Sequence, residues 1–99
     1  MSSIDIPKER LVEFCRKHGI QKLSLFGSVL SDDFGPDSDV DVLVEFKAGT
    51  MIGLIRLTGL EFELSEIIGR KVDLNTPGFL SKYFRADVMA EREVQYAEA

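Results

Sequence analysis

One cysteine and one histidine are all the thiol and imidazole chemistry this 99-residue chain offers. Cys15 has no partner for an intramolecular disulfide, which fits a reducing compartment. His18 has no second histidine with which to share a metal. No apolar run reaches the roughly 18 residues of a membrane helix. Met1-Ser2-Ser3-Ile4-Asp5 has neither the basic start nor the apolar core of a signal peptide. The expectation is a soluble, cytoplasmic protein without a membrane partner. Positive charge is also scarce, with 12 Lys and Arg against 17 Asp and Glu and a net charge of -5. Gripping a nucleic-acid backbone needs a basic face, so direct nucleic-acid binding is not expected. No G-x-G-x-x-G follows a strand, and the chain is too short for a doubly wound dinucleotide fold. Repeats, linkers and low-complexity segments are missing too, so residues 1–99 are read as one domain.

What is present is an alternation of helical and extended patterns. Asp5 to His18 reads as a helix capped by Asp5, with Pro7 in its first turn. Leu11, Val12, Phe14 and Cys15 form its apolar stripe, and Gly19 stops it. Lys22–Phe26 suits a short buried strand ended by Gly27-Ser28. A helical turn or two is expected from Val29, cut short by Asp32, Asp33, Gly35, Pro36 and Asp37. Asp39–Phe46 reads as a second strand, with Val40, Val42, Val44 and Phe46 on one face and Asp39, Asp41, Leu43 and Glu45 on the other. A long helix is expected from Thr50 to about Ile68, weakened by Gly53 and Gly59 at about 1 kcal/mol each relative to alanine. Lys71–Leu74 reads as a third strand. Phe79 to about Tyr96 reads as a closing helix with Leu80, Tyr83, Phe84, Val88 and Val94 inward. The fold class is α/β (α+β), a small mixed sheet of three or more strands flanked by helices.

The chemistry concentrates between Leu25 and Val44. Asp39 and Asp41 lie two positions apart on one strand face, roughly 7 Å apart along the backbone. Two carboxylates converging there repel unless a cation lies between them. Hard oxygen donors of this kind suit Mg²⁺, which keeps coordination positions open for water and phosphate oxygens. Asp73, between Val72 and Leu74, is a third acid in a strand. If its strand neighbours that of Asp39 and Asp41, three carboxylates can hold two metals. Gly27 allows close approach of a backbone to a ligand. Ser28 opens a short helical turn whose free N–H groups favour phosphate, and its hydroxyl adds a donor.

Leu25-Phe26-Gly27-Ser28, ten residues, then Asp39-Val40-Asp41 resembles the G-S-x10-D-x-D signature of the polymerase-β-type nucleotidyltransferase superfamily. Pro36 to Phe46 and Lys71-Val72-Asp73-Leu74-Asn75-Thr76-Pro77 look much like its minimal nucleotidyltransferase branch, which pairs with HEPN-domain toxins in prokaryotic toxin–antitoxin modules. The resemblance spans about Ile20 to Tyr96. It implies a polymerase-β-like nucleotidyltransferase fold, with Asp39, Asp41 and Asp73 as metal-binding catalytic carboxylates, Asp73 also serving as a candidate general base. Gly27 and Ser28 would contact the nucleotide, and Mg²⁺, two ions, would accompany ATP as substrate. The implied reaction moves AMP from ATP to a hydroxyl, a tyrosine of a partner HEPN toxin, silencing it within a hetero-oligomer.

Many relatives read G-S-R-A-R-G after the first strand, whereas this chain reads Gly27-Ser28-Val29-Leu30-Ser31-Asp32. Fewer cations near a triphosphate should weaken nucleotide binding, and Asp32 adds repulsion if it points inward. Two other readings follow: a catalytically weak domain that neutralises its toxin by binding, and the catalytic subunit of a small-molecule nucleotidyltransferase that needs a separate substrate-binding chain. The helices from Thr50 and Phe79 carry many apolar residues. Core packing is the expected use, and an exposed apolar patch would instead point to a partner.

Overall fold

The computed structural model describes residues 4, 6–31, 34–35 and 37–98. Helix α1 (Lys8–Lys17) leads into strand β1 (Ile20–Phe26), a 3-10 turn (Gly27–Leu30) and strand β2 (Val40–Phe46). Helix α2 (Leu54–Ile68), strand β3 (Val72–Asn75), a second 3-10 turn (Pro77–Phe79), helix α3 (Arg85–Glu91) and strand β4 (Glu93–Ala97) follow. The strands lie in the order β3-β2-β1-β4. The β1–β2 and β1–β4 pairs are antiparallel, and β2–β3 is parallel, with α2 making the crossover that parallel pairing requires.

The core forms where helix stripes meet one sheet face. Leu11, Phe14 and Cys15 of α1 and Leu57, Leu60, Leu64 and Ile67 of α2 pack over Leu23, Leu25, Val40, Val42, Val44, Val72 and Leu74. Each of these helix sets recurs every three or four residues, so each makes one continuous ridge. Cys15 is wholly covered, and burial pushes its thiol up to about 12, so it serves as core. Pro7 occupies the position before α1, and Asp5, the expected cap, lies outside the described residues. His18 bridges the helices: its Nε2 is 3.1 Å from Glu63 Oε1 on α2, and its ring meets Phe14 edge-on at 4.9 Å.

Strand β3 is the margin of the sheet beside β2, and its outer amides are already satisfied by α2. The Leu74 N–H donates to Glu61 Oε2 at 2.7 Å and the Val72 N–H to Ser65 Oγ at 3.0 Å.

Three expectations are corrected. Phe79–Tyr96 is not one helix: it is a 3-10 turn, a seven-residue helix and a fourth strand. Strand β4 pairs Lys22 with Ala97, Leu23 with Tyr96, Ser24 with Val94 and Leu25 with Glu93. Leu80 is buried as expected, but Tyr83, Phe84 and Val94 are exposed. The long helix begins at Leu54 rather than Thr50, whose N–H instead closes a turn onto the Lys47 carbonyl at 3.0 Å. Only one side of α2 meets the sheet. Met51 is 90% exposed, Ile55 92%, Phe62 68% and Leu54 66%, leaving an apolar stripe on the far side. The expectation that these residues pack into the core therefore fails, because α2 meets the sheet through its opposite ridge, Leu57, Leu60, Leu64 and Ile67. Gly59 gives no close packing: a Cβ there would meet nothing within 4 Å.

Candidate nucleotide and metal site

Strand register builds the site. Asp41, the second residue of β2, lies opposite Phe26 of β1 on one side and Asp73 of β3 on the other. Side chains directly opposite in adjacent strands share a face, and neighbouring strands run about 4.8 Å apart. Asp73 therefore stands beside Asp41 at the same end of the sheet. Asp39 lies one residue before β2 and two before Asp41, which brings it to the same end. Alternation along β2 puts all three on the face opposite the α1–α2 core.

The environments of the three differ. Asp41 is half-buried, whereas Asp39 and Asp73 are exposed. Burial raises the Asp41 carboxyl above its ordinary 3.8, and the negative charges of Asp73 and Asp39 raise it further. The like charges of the three acids thus set up a repulsion at this end of the sheet. A cation there would relieve it. The donor set is all hard oxygen, which fits Mg²⁺ or a similar divalent ion. Among the described residues, no three acidic, histidine or cysteine side chains stand close enough together to hold a metal ion as they are. The acids are brought into register without being drawn together.

Gly27 follows β1 with φ at +75°, a left-handed conformation that a side chain resists. It also backs directly onto Asp41. A Cβ at Gly27 would lie 3.2 Å from Asp41 Cγ and closer still to Oδ2. Gly27 and the Asp41 carboxylate are thus in contact, fourteen positions apart in sequence. Ser28 is half-buried in the 3-10 turn, and its carbonyl accepts from the Ser31 hydroxyl at 3.1 Å. Val29, where relatives of the resembled family carry arginine, is fully buried in the core. Its side chain does not face the site, so of the two arginine positions only that of Ser31 lies on the surface. Asp32 lies outside the described residues. Beside the turn, Gly27, Leu30, Ser31, Glu91 and Glu93 line a cleft of about 430 Å³.

Sequence reasoning missed Arg70 and Lys71. The Arg70 guanidinium donates to the carbonyls of Gly35 and Ser38, the latter at 3.2 Å, and lies 4.3 Å over the Phe34 ring. Lys71 Nζ is 3.8 Å from Asp39 Oδ2, and its carbonyl accepts from the Val40 N–H at 2.9 Å. Two cations immediately before Val72-Asp73-Leu74 were the available signal. It becomes meaningful only once β3 is known to run alongside the start of β2. Glu91 and Glu93 were missed because that segment read as helix.

Comparison with known proteins agrees with this architecture. Residues 8–94 match the family model described as a nucleotidyltransferase domain. A relative from Methanocaldococcus jannaschii, provisionally named a protein adenylyltransferase, is 38% identical over 69 residues, covering 70% of this chain and 72% of that protein. Protein adenylyltransferase MntA of Thermococcus cleftensis is 32% identical over 84 residues, covering 85% of this chain and 81% of its own. A solved complex of a tri-AMPylated Shewanella oneidensis HEPN toxin with its MNT antitoxin contains a chain of the same fold. It aligns with a TM-score of 0.67 at 19% identity, covering 92% of this chain and 70% of that one. On the family match and these two relatives, the chain belongs to the nucleotidyltransferase domain family.

Proposed function

We propose that this chain, acting as one minimal domain, transfers AMP from ATP to a hydroxyl, a tyrosine of a partner HEPN toxin, and thereby acts as its antitoxin. The observation that carries the reading is the row Phe26–Asp41–Asp73, with Gly27 of the phosphate turn against Asp41. The relatives' name of protein adenylyltransferase, and the AMPylated toxin in the MNT complex, support the choice of AMP and of partner.

Asp39, Asp41 and Asp73 would hold two Mg²⁺ ions, whose charge would neutralise the triphosphate and the leaving pyrophosphate. Gly27 and Ser28 would offer backbone N–H groups and a hydroxyl to phosphate oxygens. The acceptor oxygen bonds to the α-phosphorus, the bond to pyrophosphate breaks, and the hydroxyl proton passes to Asp73, the most open of the strand carboxylates. The exposed stripe Met51, Leu54, Ile55 and Phe62 supports a protein partner, since a surface of this kind is costly to leave in water.

Labelled ATP, Mg²⁺ and the product of the adjacent gene should give a labelled partner, and Asp39→Ala should abolish labelling while the domain stays folded. No labelling with any of the four nucleotides would sink the reading. A second reading, neutralisation by binding alone, draws on the same apolar stripe and on Ser31 standing where an arginine is usual. It predicts that the Asp39→Ala protein still protects cells from the toxin. Loss of protection with the complex intact excludes it.

A further inference from the structure

We infer that Arg70 is a positioning residue for Asp39, fixing the backbone that delivers this carboxylate to the metal site; the inference rests on the metal reading above. Asp39 lies just outside β2, so the regular strand ladder does not hold its own peptide. Its side chain is 45% exposed, and its only ionic contact among the described residues is the 3.8 Å approach of Lys71, itself 80% exposed. An ion pair this open contributes little. What holds the segment is Arg70. It stands after Gly69, which ends α2 in the left-handed conformation with φ at +79° and turns the chain toward β3.

From there the planar guanidinium donates to the carbonyls of Gly35 and Ser38 and stacks on Phe34. The loop adds one internal tie, from the Gly35 N–H to Ser38 Oγ at 3.1 Å. Next along the chain, the Lys71 carbonyl takes the Val40 N–H at 2.9 Å. Residues 70–71 therefore grip the peptides on both sides of Asp39, from Ser38 to Val40. They also open β3, which carries Asp73. One short segment thus sets the spacing between two of the three carboxylates. Lysine cannot reproduce the arrangement, because an ammonium is a point donor with no planar face to stack.

The test is Mn²⁺ binding, followed by electron paramagnetic resonance or calorimetry on the full chain, with thermal unfolding measured in parallel. Wild type should bind, and Asp39→Asn should not. Arg70→Met should weaken Mn²⁺ binding roughly tenfold or more, the usual size for groups that orient a metal ligand, while still unfolding cooperatively. Arg70→Lys, which keeps the charge, should recover only part of the loss. Lys71→Met should change affinity by less than about twofold, as befits an exposed pair. If Arg70→Met lowers the unfolding temperature but binds Mn²⁺ like wild type, Arg70 is a loop fastener and the inference is overturned. Should Arg70→Met fail to fold, Arg70→Lys and Phe34→Leu decide by the same measurement, and wild-type affinity in both overturns it. If wild type binds no Mn²⁺, the metal reading itself is refuted and the inference falls with it; that outcome differs from one in which binding persists without Arg70.

Discussion

Gly27→Ala is the sharpest probe of the site, because the structure supplies its own control. Gly27 and Gly49 both sit at positive φ, +75° and +86°. Alanine at either position meets the same backbone penalty, about 1–2 kcal/mol. For a chain of this length that lowers the unfolding temperature by about 4–8 °C per kcal/mol. The two differ in surroundings. A Cβ at Gly49 meets nothing within 4 Å, whereas one at Gly27 overlaps the Asp41 carboxylate. Asp41 can escape by rotating, at about 0.5–1.5 kcal/mol for leaving its preferred rotamer, so the extra loss of stability is modest. The loss of function is not, since the central carboxylate has turned from its neighbours. Both variants should show lowered unfolding temperatures, but only Gly27→Ala should lose Mn²⁺ affinity and partner labelling by roughly tenfold or more. A double-mutant cycle with Asp41→Ala removes the overlapped group, so the excess destabilisation of Gly27→Ala should vanish in that background. Equal labelling by Gly27→Ala and Gly49→Ala would refute the claim that turn and carboxylate form one unit.

Other predictions follow from the same geometry. Because Asp41 has a raised carboxyl in the folded state, the folded chain binds its proton more tightly than the unfolded one. The stability from protonated Asp41 is present below the ordinary value of 3.8 and lost as pH rises through the folded value. Asp41→Asn should flatten that slope in urea titrations, and at neutral pH it should raise stability by about 0.5–1 kcal/mol, the modest size of a partly solvated repulsion. A metal-free wild type as stable as Asp41→Asn at pH 7 would show that the acids do not repel. Gly59→Ala, in open space within α2, should stabilise the fold by up to about 1 kcal/mol. Denaturant midpoints that fall instead would indicate a bend that requires glycine. Ile55→Asp with Phe62→Asp should leave stability within about 0.5 kcal/mol per site but weaken the complex with the partner in a pull-down, and an unchanged complex would remove α2 from the interface.

Much of this was legible in the sequence, for physical reasons. Leu11, Phe14 and Cys15 recur at helical spacing, and Val40, Val42 and Val44 alternate, so α1 and β2 could be read locally. The pairing of Asp73 with Asp41 could only be posed as a condition, and β2–β3 register meets it. The C-terminal region misled because its partner is remote. Glu93-Val94-Gln95-Tyr96 alternates weakly, and it becomes a strand only by pairing with β1 some 70 positions earlier. Full burial of Ser24 and Leu25 on a two-sided strand was the missing clue, since β1 needs a neighbour on each side. The exposed stripe of α2 could not be told from core by composition, because both of its faces are rich in leucine and isoleucine.

The amides that β3 gives to Glu61 and Ser65 have one more consequence. A strand margin with free N–H groups invites another chain to pair with it, and this one is already spoken for by its own helix. The sheet can therefore be extended only along β4, on the far side of two intervening strands from Asp73. Growth of the sheet, whether through assembly or through misassociation, is steered away from the carboxylates. The side of the sheet that carries Asp41 and Asp73 is the side where strand addition is blocked.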